Sequence, residues 1–261
     1  MRLVFCIAFL CWPATALAQE PITVQGRQFD NVQALHDFLK EQRSDEPSVN
    51  LYQERQLKAA ALLEYAKHDP KGAREIALSE MANSDPNVEV QGLLFLDDGE
   101  IPELTNAFRA NLKAETFYWH LACVERYGSG ELLPDVVKLY ELHKGEWACE
   151  IAAHCLGFIV KHERGQGLRL VEEAVSLRAS TGCYHDVMRS VLVAYPGPDV
   201  LTLSLKYIGD ADEAVSTNAA YVASKQDGGK DKLRTILSSQ TNRLSSRTLV
   251  YIETQLLAAP N

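Results

Sequence analysis

Residues Glu146 to Lys161 read EWACEIAAHCLGFIVK, and on a helix nearly all of their polar side chains fall on one narrow strip. At about 100° per residue, that strip holds Glu150, His154, Gly157 and Lys161, while the other faces are apolar. A helix with so little polar surface is buried on several sides. The stretch therefore predicts a central helix with neighbours before and behind it in a stack of helical hairpins.

The second half of the chain repeats a helix, a turn and a helix at a regular spacing. The first apolar residues after successive turns are Ile101, Leu133, Leu168, Val200 and Leu233, which lie 32, 35, 32 and 33 residues apart. An earlier copy begins at Asp69-Pro70. The predicted turns hold Gly99, Gly128 and Gly130, Gly165 and Gly167, Pro196 to Pro198, and Gly228 with Gly229. A period in the low thirties is typical of an α-solenoid.

One copy of the repeat, Ser84 to Leu104, resembles the short HEAT-like repeat. The matching positions are Asp85-Pro86, Val88, Leu93, Leu96, Asp98-Gly99, Ile101-Pro102 and Leu104. Where this family often has Arg after the first Val, this chain has Glu89, and the other copies match by spacing alone. The resemblance implies an all-α, right-handed HEAT-like solenoid of about six helical hairpins, with a Val-led helix in this stretch.

The N-terminus has the three parts of a secretory signal peptide. Arg2 is followed by an apolar run from Leu3 to Trp12 and by the cleavage motif Ala16-Leu17-Ala18. The run is too short to span a bilayer. We expect residues 1–18 to be removed near Ala18, and we expect a periplasmic or secreted mature chain without membrane insertion.

The mature chain is expected to have two parts. Residues 19–50 form an N-terminal arm and helix, in which Ile22 to Phe29 is a small hairpin or an extended arm. Asp30 is then predicted to cap a helix that runs to about Gln42. Residues 51–261 form the helical-repeat domain, which closes with a capping helix from Leu244 to Leu257.

Four cysteines remain after removal of the leader: Cys123, Cys149, Cys155 and Cys183. In an oxidising compartment they suggest two disulfides. Cys149 and Cys155 are about 9 Å apart along one helix, beyond the limit of about 7 Å for a disulfide. The repeat period favours Cys123–Cys155 with Cys149–Cys183 over Cys123–Cys149 with Cys155–Cys183. Four buried free thiols are the other possibility.

The histidines do not follow a metal-binding pattern. His143, His154, His162 and His185 lack the tight pairs, such as H-E-x-x-H, that zinc sites use. Glu150 and His154 are therefore expected to form an exposed pair at i, i+4. We expect no metal and no cofactor, and the chain has no nucleophile elbow, P-loop or dinucleotide fingerprint.

Charge and aromatic residues point to the class of partner. A net charge of −9 argues against binding nucleic acid and is compatible with a basic protein partner. The run Phe117-Tyr118-Trp119 covers about 200° of a helix. Either its last two rings pack against adjoining hairpins or they form an exposed aromatic anchor. The candidate protein-binding residues are Tyr118, Trp119, Asp135, Lys138, Arg169, Glu172 and Lys206.

Two functions follow from these observations. The first is a non-catalytic protein-binding scaffold outside the cytoplasm, in one version an immunity-type inhibitor of an exported toxin. The second is a lyase-like or other enzyme with a site in the solenoid concavity, because bilin lyases also carry such repeats. A cleft that holds a buried carboxylate or histidine would favour the enzyme.

Overall fold

The computed structural model describes residues 21–41, 50–113, 118–144, 149–177, 184–239 and 244–257. Within these ranges the chain forms fourteen α-helices and one two-stranded hairpin, so the protein is all-α as predicted. The leader expected over residues 1–18 lies outside them. No helix in the described ranges has the length and apolar character needed to cross a membrane.

The arm begins with the predicted hairpin. Strand β1 (Ile22–Val24) pairs antiparallel with β2 (Arg27–Phe29). The two turn residues, Gln25 and Gly26, have positive φ values of 48° and 86°. Positive φ at both central residues matches the twist of a two-residue hairpin turn.

Helix α1 (Val32–Lys40) follows the hairpin. Its N-cap is Asn31, whose side-chain oxygen accepts a hydrogen bond from the backbone N–H of Ala34 at 2.9 Å. The prediction of Asp30 as the cap was therefore off by one residue. The apolar side chains that this helix buries are Leu35, Phe38 and Leu39.

From Leu51 onward the described chain is helical, with short connections. The helices are α2 (Leu51–Tyr65), α3 (Pro70–Ala82), α4 (Val90–Leu93), α5 (Thr105–Asn111), α6 (Tyr118–Tyr127), α7 (Leu133–His143), α8 (Cys149–His162), α9 (Arg164–Ser176), α10 (Tyr184–Ala194), α11 (Pro198–Tyr207), α12 (Glu213–Ser224), α13 (Gly229–Ser239) and α14 (Ser246–Leu257). Short 3₁₀ turns, Pro102–Leu104 and Gly130–Leu132, lead into α5 and α7.

The helices pack mainly on their near neighbours in the chain. Helix α8 contacts α6, α7, α9 and α10, and the even-numbered helices from α2 to α14 each contact the next one. Near the end of α8, the Nζ of Lys161 donates to the carbonyl oxygens of Glu125 and Arg126, near the end of α6, at 3.0 and 2.8 Å.

Two further contacts fix the relative direction of α6 and α8. Glu125 contacts His154, and a Cβ atom on Gly130, just beyond α6, would lie 3.3 Å from Nδ1 of His162, two turns later on α8. The two helices therefore run in the same direction. As predicted, α8 is buried on several sides, at Ala152, Cys155, Leu156, Phe158, Ile159 and Val160.

The stretch that resembles a HEAT-like repeat contains the shortest α-helix of the described residues. The expected Val-led helix is reduced to α4, which starts at Val90 and not at Val88. Gly92 lies so close to α2 that a Cβ atom on it would be 2.7 Å from the Cα of Ala59. Glycine permits this close contact but weakens the helix around it.

The glycines of Gly165-Gln166-Gly167 were predicted to form a turn, but both lie inside α9. Glu163 alone separates α8 from α9. A Cβ atom on Gly167 would lie 2.6 Å from the Cα of Val160, whereas the nearest atom to one on Gly165 would be 3.9 Å away. Gly167 therefore allows α9 to pack tightly on α8.

The predicted Cys123–Cys155 disulfide is absent. Both cysteines are buried free thiols, and burial raises the pKa of each to about 12. Helix α6 meets α8 at Glu125, whose carboxylate lies against Gly157. Cys123 lies two residues before Glu125 and so points about 200° away from that contact. The repeat period placed the two cysteines on adjacent helices without fixing the direction in which each side chain points.

Cys149 is disulfide-bonded. The partner that the repeat spacing predicts for it, Cys183, lies outside the described residues. The Cys149–Cys183 bond therefore stays a prediction. No disulfide joins two cysteines that both belong to the described ranges.

Candidate functional site

A cleft of about 580 Å³ opens where α6, α8 and the end of α10 meet, and we call it the Glu125 cleft. Its volume is in the range of about 300–1,000 Å³ that is usual for small-molecule sites. Its lining residues are Leu94, Asp98, Gly99, Ala122, Glu125, Arg126, His154, Lys161, Ala194 and Tyr195. Two residues of the polar strip of α8, His154 and Lys161, therefore face this cleft.

The carboxylate of Glu125 connects three helices. Its Oε2 lies 2.7 Å from Nδ1 of His154 on α8, and its Oε1 accepts a hydrogen bond from the hydroxyl of Tyr195 at 2.7 Å. Because a carboxylate only accepts hydrogen bonds, Nδ1 of His154 is the donor in the first contact. The Glu125 side chain is 19% exposed. It is thus a largely buried carboxylate with both oxygens bound by the protein itself.

Gly157 makes room for this carboxylate. It lies one helical turn after His154 on the same face of α8. A Cβ atom on Gly157 would be only 2.0 Å from Oε1 and 2.6 Å from the carboxyl carbon of Glu125. Glu125 can therefore lie across α8 toward Tyr195 only because position 157 has no side chain.

The other polar groups of the cleft are also paired within the protein. Burial, followed by the charge of Glu125, raises the pKa of Tyr195. Burial lowers the pKa of Lys161, whose Nζ binds carbonyl oxygens at the end of α6. Nε of Arg126 forms an ion pair with Oδ1 of Asp98 at 2.5 Å, although the two atoms do not have the geometry of a hydrogen bond. The cleft is therefore polar but internally matched in charge.

One side-chain atom in the cleft, Nε2 of His154, is available to contact a ligand or water. His154 is held by Glu125 through Nδ1, and its Nε2 is not among the buried polar atoms that lack a partner. Nε2 is therefore open to the cleft. A histidine that a carboxylate orients in this way has the geometry of a general base. None of the residues that line the cleft is Ser, Thr or Cys, so such a base would act on water or on the ligand itself.

The predicted pairing of His154 with Glu150 is wrong. Glu150 is exposed in the first turn of α8, and the partner of His154 is Glu125 on α6. Sequence reasoning missed both Glu125 and Tyr195. The available signal was Gly157, because a glycine within a polar strip of a buried helix indicates that another group lies close to that strip.

Two predicted binding residues, Asp135 and Lys138, lie together in a second cleft of about 530 Å³. We call it the Leu142 cleft, and its lining residues are Leu112, Lys113, Asp135, Lys138, Leu139, Glu141 and Leu142. Leu142 is 56% exposed, and Leu139 is buried. Asp135 also pairs with Arg109 on α5, with Oδ2 3.1 Å from Nε.

The other predicted residues lie outside both clefts. Glu172 and Lys206 form an ion pair between α9 and α11, and Arg169 is exposed on α9. Tyr118 is exposed at the start of α6, whereas Trp119 is buried with its ring 5.2 Å from that of His120. Trp119 was therefore wrong as a surface contact, because the helix turns it into the core.

Neither a metal-binding cluster in the described part of the chain nor a relative of known function helps to assign the two clefts. Among the described residues, no group of three or more His, Cys, Asp and Glu side chains is arranged to hold a metal ion. Comparisons of the chain with protein-family models, with curated proteins and with solved structures found no match.

Proposed function

We propose that the protein is an exported, non-catalytic scaffold that binds a protein partner, and that its hairpins form a right-handed HEAT-like solenoid. The packing of each even-numbered helix on the next supports a stacked arrangement. Solenoids present extended surfaces that suit protein partners. In the most specific version, the partner is an exported toxin that the scaffold inhibits.

The observation that carries this proposal is the Leu142 cleft. Its apolar part consists of Leu112, Leu139 and the exposed Leu142, and the charges of Asp135 and Lys138 lie beside it. An apolar centre with a polar rim is the usual anatomy of a protein interface. A buried partner side chain would gain most of its binding energy in such a pocket.

Export is part of the proposal. Cys149 is disulfide-bonded, and disulfides persist mainly in oxidising compartments outside the cytoplasm. The leader pattern of residues 1–18 agrees with this. N-terminal sequencing of the protein from its native host should begin at Gln19, and an intact Met1 on the soluble protein would reject export.

The binding prediction is tested with a substitution in the Leu142 cleft. Leu142→Asp places a charge where an apolar contact is expected, so we expect at least about thirtyfold weaker binding, as for a central interface residue. The measurement is capture of the partner from a native extract, identification by mass spectrometry and titration of the purified pair. Val250→Asp, at an exposed apolar position on α14, is the matched control. Equal binding by wild type and Leu142→Asp would reject this surface.

A second candidate function is an enzyme that uses the Glu125 cleft. The hydrogen bond between Glu125 and His154 favours it, because it orients a histidine at a cleft. The largely buried carboxylate and the histidine of this cleft meet the criterion stated above for an enzyme. We rank the scaffold first because no Ser, Thr or Cys nucleophile lines the cleft. Turnover of chromogenic ester, phosphate or glycoside substrates that His154→Gln abolishes and Leu142→Asp preserves would favour the enzyme. Absence of turnover would reject these reaction classes.

A further inference from the structure

The charges of the Glu125 cleft are matched, but its hydrogen-bonding groups are not. Each carboxylate oxygen of Glu125 already accepts one hydrogen bond, from His154 or from Tyr195. The side chain of Asp98, the other carboxylate of the cleft, is 80% exposed, so water can satisfy its oxygens. The acceptors of the cleft therefore do not need a ligand.

Two cationic side chains of the cleft have donors to spare. The ammonium group of Lys161 has three N–H donors, and two of them bind the carbonyl oxygens of Glu125 and Arg126 at 3.0 and 2.8 Å. These two bonds hold Nζ at the end of α6 and leave one donor over. The guanidinium of Arg126 has five N–H donors. Its Nε faces Asp98, and its Nη groups donate no hydrogen bond to a described residue.

The same cleft has an accessible apolar wall. It consists of Leu94 and Ala122, which are half-buried, and Ala194, which is exposed. Small-molecule sites usually combine such a wall with a few polar groups that fix the orientation of the ligand. The cleft, with a volume of about 580 Å³, has room for a small organic molecule that makes both kinds of contact.

We propose that the Glu125 cleft binds a small organic carboxylate with a short apolar chain. The carboxylate accepts hydrogen bonds from Arg126 and Lys161, because charged donors bind a carboxylate more strongly than neutral donors do. The planar guanidinium also matches the geometry of a carboxylate. The apolar chain packs on the wall of Leu94, Ala122 and Ala194. The inference does not rest on the proposed scaffold function, because the lining residues of the Leu142 cleft are all different.

A titration with butyrate tests the site. The reporter is the NMR signal of the His154 ring, because its Nε2 is open to the cleft, and His154→Gln assigns that signal. We expect a saturable shift at roughly millimolar butyrate, the affinity usual for so small a ligand. Butyramide, which lacks the charge, and acetate, which has a shorter chain, should each bind about tenfold more weakly. No saturable shift, or equal binding of butyrate and either control, would overturn the proposal.

Substitutions separate this site from general attraction between charges. Arg126→Gln should weaken butyrate binding about tenfold, because it removes the guanidinium. Asp98→Asn should strengthen it about threefold, because Arg126 loses a competing carboxylate. Arg234→Gln is the matched control, because Arg234 on α13 also pairs with an exposed carboxylate, that of Asp231. It should have no effect, and an equal loss with it, or no gain from Asp98→Asn, would reject the site.

The ligand proposal and the scaffold function can fail separately. If butyrate does not bind while Leu142→Asp still loses the captured partner, the ligand proposal is wrong and the scaffold function stands. If butyrate binds as expected and Leu142→Asp keeps the partner, the Glu125 cleft is a ligand site and the Leu142 cleft is not the interface.

Discussion

Gly157→Ala should lower the free energy of unfolding by about 3 kcal/mol. The new methyl group would lie 2.0 Å from Oε1 of Glu125, so the carboxylate must leave its position. It would then lose its hydrogen bonds with His154 and Tyr195, each worth about 1.5–3 kcal/mol because the acceptor is charged. The better helix propensity of alanine offsets about 1 kcal/mol of this loss in the free energy of unfolding. Urea unfolding at constant m-value measures the difference.

A double-mutant cycle identifies the cause of this loss. In a Glu125→Ala background no carboxylate faces position 157, so Gly157→Ala should be neutral or slightly stabilising. Gly165→Ala is the matched control, because a methyl group there has no neighbour closer than 3.9 Å. It should stabilise the protein by roughly 0.5–1 kcal/mol. Wild-type stability of Gly157→Ala, or an equal loss in both backgrounds, would show that Glu125 does not connect the helices energetically.

Local features of the fold are visible in the sequence because local interactions determine them. Asp69 caps α3 through the backbone N–H of Gly72 at 2.9 Å, and Pro70 opens the helix, as the Asp-Pro pair indicates. The apolar stripe of α1 and the burial of α8 follow from helical periodicity alone. Such signals depend on residues within one or two turns of each other.

The candidate site could not be predicted from the sequence in this way, because it depends on the relative orientation of α6 and α8. Within α8, Glu150 lies one turn before His154, and the sequence predicted that these two side chains would pair. The observed partner is Glu125, which lies 29 residues earlier. The rotation of α6 about its own axis decides whether Glu125 or Cys123 faces α8, and no single-helix pattern contains that angle. The prediction of a Cys123–Cys155 disulfide failed for the same reason.

Glycine has two roles that a sequence does not separate. Gly26 has a φ of 86° and serves a turn, whereas Gly167 lies in a helix and allows close packing on Val160. Both roles use the missing side chain. The difference depends on what lies opposite the glycine, and only the packed structure supplies that information.

His120 should make the stability of the protein fall as the solution is acidified from pH 6.5 to pH 4. Its ring is buried with its centre 5.4 Å from that of Phe108, and burial lowers its pKa from 6.5 to about 4. In this window the unfolded chain binds a proton at His120 and the folded chain does not. Acid therefore favours unfolding, by about 3 kcal/mol over the whole window at 1.36 kcal/mol per pKa unit.

His120→Leu isolates this contribution, because leucine has a similar volume and does not titrate. Unfolding free energies of both proteins should be measured by urea denaturation at several pH values from 7.5 to 4. The wild type should lose about 3 kcal/mol more than the variant across that range. His162, whose pKa is also lowered by burial, contributes to both proteins and cancels in the comparison. Parallel curves for the two proteins would mean that His120 gains its proton in the folded state as readily as in the unfolded chain.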